Sequence, residues 1–145
     1  MEFFDALHTS SSGLAAQRLR MNLISGNLAN INTTRTDQGG PYRRKEPVFA
    51  AQAPTPSFGE ILASHSAQQL PQVKVVEIIE DRRSPIMKYD PNHPDANPEG
   101  YVAMPNINLM EEMVNLISAT RSYEANVSAV KAAKEMALKA LEIGR

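Results

Sequence analysis

Asp90, His93 and Asp95 come nearest to a chemical site in this chain. Two carboxylates and an imidazole this close together are ligand types that zinc or manganese accepts. The segment around them also holds Pro91, Pro94 and Pro98. Each proline fixes φ, so the backbone is expected to run in extended steps and the three side chains have no cause to converge. No second cluster supplies further ligands, and His8 and His65 lie far off in sequence. The chain has 0 cysteines, which removes thiolate chemistry, disulfides and cysteine-bound zinc. Glu111 and Glu112 are adjacent on a helical stretch, so they point in different directions and fit best as first-turn acids facing the helix dipole. Arg43-Arg44-Lys45 reads as a solvated basic strand or turn. No phosphate loop, dinucleotide fingerprint or nucleophile elbow is present. The expectation is a protein that is no enzyme, with no catalytic residue, metal, cofactor or small-molecule substrate.

Bulk properties narrow the partners. At 145 residues the chain is about one domain long. A net charge of -1 and a pI near 6.3 argue against nucleic acid, which calls for a basic face. No apolar run approaches the roughly 18 residues that span a bilayer, so direct membrane insertion is not expected. The opening Met1-Glu2-Phe3-Phe4-Asp5 is acidic where an export signal would be basic, so no cleaved signal is expected.

All 10 prolines lie between Pro41 and Pro105, which leaves the two ends free to form long helices. At the N-terminal end, Leu7, Ser10, Leu14, Gln17, Met21, Ile24, Leu28 and Ile31 recur in steps of 3 and 4. The spacing predicts a helix from about Phe3 to Asn30. Thr9-Ser10-Ser11-Ser12-Gly13 weakens it, because these residues cost about 0.5–1 kcal/mol each relative to alanine. The helix should therefore lean on packing, and the small side chains admit a close neighbour. Near the other end, Asn108 is a plausible N-cap with Glu111 in the capping-box position, and Gly144 suits a C-terminal stop. The seam between them is Met113, Leu116, Thr120, Tyr123, Val127, Val130, Lys134, Ala137 and Leu141. Asn126 lies beside it, and its amide is expected to bridge to a neighbouring helix and fix register. A second apolar strip, Leu19, Leu23, Ile117 and Leu138, cannot be covered by an isolated helix pair, which points to packing between chains.

The middle reads as short strands and loops. Val73 to Ile79 is rich in β-branched residues, and Arg43 to Ala50 is a second candidate strand with Pro47 placing it at an edge. Ser57 to His65 could form a short helix, and Tyr89 to Gly100 is expected as an extended loop. The fold class is thus mainly α with a small β region: long terminal helices forming an antiparallel coiled-coil pair around a Pro-rich middle. The divisions are 1–34, 35–105 and 106–145.

Two segments carry a resemblance. Gly13-Leu14-Ala15-Ala16-Gln17-Arg18 through Asn27-Leu28-Ala29-Asn30-Ile31-Asn32-Thr33-Thr34 resembles the N-terminal signature of the bacterial flagellar rod/hook axial protein family. Ser122-Tyr123-Glu124-Ala125-Asn126-Val127 is similar to that family's C-terminal signature. Tyr89 to Ala96 and Gly100 to Asn106 resemble its proximal-rod branch, and the likeness is weakest from about Ala51 to Gln72. The resemblance implies a structural subunit of the basal-body rod in the periplasm. Such subunits are exported by the flagellar type III pathway without a cleaved signal and polymerise helically into the drive shaft of motility. Its implied partners are other copies of the chain, other flagellar rod proteins and the flagellar export apparatus. Asn27, Ala29, Asn30, Asn32 and Thr33 carry the signature. Leu7, Leu14, Met21, Ile24, Leu28, Ile31, Met113, Leu116, Tyr123, Asn126, Val127, Val130 and Leu141 are the expected assembly interface. Two other functions compete: a non-polymerising helical adaptor that binds one protein partner, and a metal-dependent enzyme built on the Asp90–Asp95 loop.

Overall fold

Two long helices bracket two β-ribbons in the structure, a computed structural model that describes residues 2–52 and 71–143. Helix α1 spans Glu2–Ala29 and runs unbroken through the small residues at 9–13. Asn30 ends it: both its backbone N–H (3.1 Å) and its Nδ2 (2.9 Å) donate to the carbonyl oxygen of Gly26. That takes up an acceptor which the end of a helix would leave unpaired. Strand β1 (Lys45–Gln52) pairs antiparallel with β2 (Gln72–Glu80), with a bulge opposite Val48/Phe49. Strand β3 (Ile86–Tyr89) pairs antiparallel with β4 (Tyr101–Met104) in a separate sheet. Helix α2 spans Leu109–Ile143. Its cap is Asn108, whose Oδ1 accepts from the N–H groups of Met110 at 3.0 Å and Glu111 at 3.5 Å.

The helices run antiparallel, since Asn27 meets Glu112, Met21 meets Thr120 and Gly13 meets Asn126. The buried apolar residues are Ala16 and Ile24 of α1, Val102 of β4, Ala119 of α2, and Ile107 just before it. This is a small core for two helices of such length. Residues 9–13 do admit a close neighbour: a Cβ on Gly13 would lie 3.1 Å from Asn126 Nδ2.

Several expectations need correction. The seam of α2 is Glu112, Leu116, Ala119, Tyr123, Asn126, Val130, Ala133 and Ala137, so it shares every second member with the expected one. Glu112 and Ala119 are fully buried, while Met113 is 46% exposed. A 3–4 repeat has two phases that differ by one residue, and hydrophobicity chose the wrong one because the inward position at the end is an ion-paired glutamate. The segment 90–100 is not extended. It folds back through successive turns, with His93 N–H bonding Asp90 O, Ala96 N–H bonding His93 O and Gly100 N–H bonding Asn97 O. Prolines fix φ but leave ψ free to turn. Gly100, at φ +82°, lets the chain return so close to Tyr89 that a Cβ there would stand 2.9 Å from the ring. The two strands flanking this loop were not anticipated, being only 4 residues each. The expected helix at 57–65 and the glycine stop at 144 lie outside the described residues.

Candidate functional site

Where α1, β1 and α2 meet, a polar junction is buried in place of an apolar core. Asn27 is fully buried and its amide makes 4 hydrogen bonds. Nδ2 donates to Lys45 O (3.0 Å) and to Glu112 Oε2 (3.0 Å). Oδ1 accepts from Lys45 N–H (2.9 Å) and Tyr42 O–H (3.2 Å). The side chain thus treats Lys45 as a neighbouring strand would, taking both its backbone groups. Glu112, also fully buried, completes the set through Oε1, which accepts from Arg44 Nε at 2.7 Å. Arg44 Nη1 reaches Glu46 at 2.8 Å. Every amide and carboxylate atom has a partner, so the cost of desolvation is offset.

Electrostatics agree with the geometry. Burial pulls the Arg44 guanidinium down, but its bonds to Glu112 and Glu46 outweigh this and hold it above its ordinary value. Tyr42 is raised by burial and by the nearby Glu80 and Glu112 charges, so its phenol stays a donor. Lys45 Nζ lies 3.6 Å from Glu80 and 5.9 Å from the centre of the Tyr42 ring. Outside the junction, Arg83 bonds Asp81 and holds that carboxyl below its ordinary value.

Of the signature residues, Asn27, Asn30 and Thr33 have structural work. Thr33 Oγ1 donates to Asn30 Oδ1 at 3.1 Å, and Tyr42 N–H bonds Thr33 O at 3.1 Å, which leads the chain from α1 into β1. Ala29 and Asn32 are exposed. Of the expected interface residues, Ile24 is buried. Leu7, Leu14, Met21, Leu28, Ile31, Leu116, Tyr123, Asn126, Val127 and Val130 are half-buried. Met113 and Leu141 are exposed. Asn126 packs on Gly13 without a hydrogen-bond partner among the described residues, because the backbone groups of α1 are spent on its own helix. The Asp90–Asp95 loop contributes a tie: Asp95 accepts from Thr34 Oγ1 at 2.7 Å. Among the described residues no three potential ligands stand together as a metal site would need, and no helix is long and apolar enough to cross a membrane.

Sequence reasoning missed Glu112, Arg44, Tyr42 and Lys45. Glu112 reads as a dipole acid and Arg44 as solvated; the structure pairs a buried Glu112 with a half-buried Arg44. One signal existed: Glu112 is in helical phase with Leu116 and Ala119.

Sequence comparison places this architecture. Residues 7–35 match the model of the flagella basal body rod protein family, and 99–143 match that of the flagellar basal body rod FlgEFG protein C-terminal family. Over 100% of both chains, the sequence is 49% identical to the flagellar basal-body rod protein FlgC of Bacillus subtilis. It is 44% identical to that of Borreliella burgdorferi over 99% of this chain and 98% of the relative, and 37% identical to that of Salmonella typhimurium over 100% of both. The chain belongs to the FlgC family of flagellar basal-body rod proteins. A FlgC-family chain is a structural subunit of the rod, and nothing here favours a single-partner adaptor. The junction joins the two matched segments, with Asn27 in one and Glu112 in the other.

Proposed function

We propose that the chain polymerises helically through its terminal helices as part of the proximal rod in the periplasm. On this reading residues 1–34 and 106–145 build an inner coiled-coil tube and residues 35–105 face outward. Export by the flagellar type III pathway, without a cleaved signal, and contact with other copies and other rod proteins belong to the same proposal. One observation carries it. Among its described side chains, helix α2 buries only Glu112 and Ala119 and leaves Met110, Met113, Val114 and Ile117 exposed in a stripe at helical spacing. Farther along, Met136, Leu138 and Leu141 are 66%, 51% and 72% exposed. Full burial of one such side chain contributes about 1.5–3 kcal/mol, which neighbouring helices would supply.

The decisive substitution is Ile117→Asp. The residue is 54% exposed in the single chain, so the subunit should fold normally. In the rod it would place an unpaired charge in a packed contact. Cells carrying it should express the chain, lack it in isolated basal bodies and fail to swim. Swimming at wild-type speed with full incorporation would refute the proposal.

A further inference from the structure

In each β-ribbon an asparagine caps the outer edge of one strand at one end, and the other strand has no such cap among the described residues. Backbone groups in an antiparallel pair alternate between facing the partner strand and facing away. In the first ribbon, Asp81 N–H bonds Arg44 O, so Lys45 and Pro47 turn their backbone groups outward. Asn27 takes both groups of Lys45, and Pro47 has no N–H to offer. The β1 edge therefore offers no free N–H at Lys45 or Pro47. On β2 the outward groups belong to Ile78 and Glu80, the pairing partners of Pro47 and Lys45. They have no hydrogen-bond partner among the described residues. Farther along, Val73 N–H is taken by Ser12 Oγ at 3.0 Å, which caps that end of the strand.

The second ribbon repeats the pattern. Asp90 N–H bonds Gly100 O, so Tyr89 and Met87 face outward on β3, and Tyr101 and Ala103 on β4. Tyr101 is closed by Asn97, whose Oδ1 accepts its N–H at 2.8 Å and whose backbone N–H bonds its carbonyl at 2.9 Å. Met87 and Tyr89 on β3 have no such cap among the described residues. Proteins normally protect edges like these. Here the two open edges carry exposed apolar side chains: Val76, Ile78 and Ile79 on one, Ile86, Met87 and Tyr89 on the other.

We propose that the open β3 edge of one copy adds to the open β2 edge of the next, joining the two ribbons across a subunit contact. Charge decides the occupant and the register. Glu77 on β2 and Lys88 on β3 each lack an ion-pair partner among the described residues. An antiparallel pairing that sets Glu77 opposite Lys88 also sets Ile78 opposite Met87, Ile79 opposite Ile86 and Val76 opposite Tyr89. Every apolar residue then meets an apolar one, and the lone charges meet their opposites. A second β2 paired in the equivalent way about Ile79 would oppose Glu77 to Asp81, a like-charge pair. The contact joins different surfaces of two copies, so it is heterologous and extends a filament where a symmetric edge pairing would stop at a dimer. It rests on the polymerisation proposed above and adds a contact away from the helices.

The chain has no cysteine, so disulfide trapping is clean. Full-length E77C and K88C variants are co-expressed in motile cells, basal bodies are isolated, and mild oxidant is applied. The expected result is a disulfide-linked dimer from the mixture and none from either variant alone. A dimer from E77C alone would place Glu77 against its own copy in place of Lys88 and overturn the assignment. Both variants incorporated without any cross-link would overturn the edge contact while leaving polymerisation intact. Failure of the unsubstituted chain to appear in basal bodies at all would sink polymerisation, and the edge contact with it. Charge reversal gives a second arm: Glu77→Lys should lower rod yield severalfold, and adding Lys88→Glu should restore it.

Discussion

The two ends of the helix pair are held in opposite ways. Where Asn27 meets Glu112, the chain satisfies itself: the polar atoms are paired, and Ile24 and Ala119 are buried nearby. At the far end Met136, Leu138 and Leu141 face outward, uncovered among the described residues. One end is a finished interior, and the other, on the proposed reading, is completed by neighbours in the rod. A rod subunit needs both, because it must present a defined shape before it joins a lattice and still keep apolar surface for the joining.

The comparison is broken most severely by Glu112→Ala. It takes the partner from Arg44 Nε and one of two acceptors from Asn27 Nδ2, and removing one partner of a buried charge pair costs up to about 3–5 kcal/mol. Urea unfolding of the purified chain followed by circular dichroism should show that loss. Asn27→Ala is next. It strips Lys45 and Tyr42 of their partner, and each unsatisfied buried group costs about 1–3 kcal/mol. Gly13→Leu sharpens the contrast at mid-helix: its side chain would drive Asn126 out of its place, an overpacking cost of about 1–3 kcal/mol by the same assay. Asn126→Ala, with no hydrogen bond to lose, should be close to neutral in the monomer.

A pH test isolates the junction's phenol. Tyr42 is raised above 10.0 in the folded chain, so its contribution is fully present below that pH and is lost as pH rises through the folded value. Stability should fall more steeply above pH 10.0 in the wild type than in Tyr42→Phe. Met136→Ser marks the small extreme. It should change monomer stability by no more than about 0.5 kcal/mol, yet reduce incorporation into basal bodies if, as proposed, other chains cover it in the rod.

The terminal helices were legible because proline exclusion and a 3–4 apolar repeat are local signals. The two longer strands were legible from β-branched residues, with Pro47 marking an edge as expected. The short strands β3 and β4 were not, since 4 residues give too little periodicity to stand out. Asn27 was singled out only through resemblance; nothing in its neighbours tells that its amide would serve as a strand. Glu112 was misread because hydrophobic patterning assigns charge to the surface, and that rule fails where a cation from another element arrives.

By itself, then, the sequence determined which segments form the two long helices, where the longer strands lie and which apolar stripes exceed what two helices can hide. These depend on backbone chemistry and on spacing along one element. Tertiary structure alone decided which phase of the α2 repeat faces inward, which arginine of the basic run is ion-paired at the junction, and which strand edges are capped. Each of those is settled by a group far away in sequence: Glu112 by Arg44, the β1 edge by Asn27, and the β2 edge at Val73 by Ser12. Pairing across such distances is a property of the folded chain, because a polar group can be buried only where its partner is delivered.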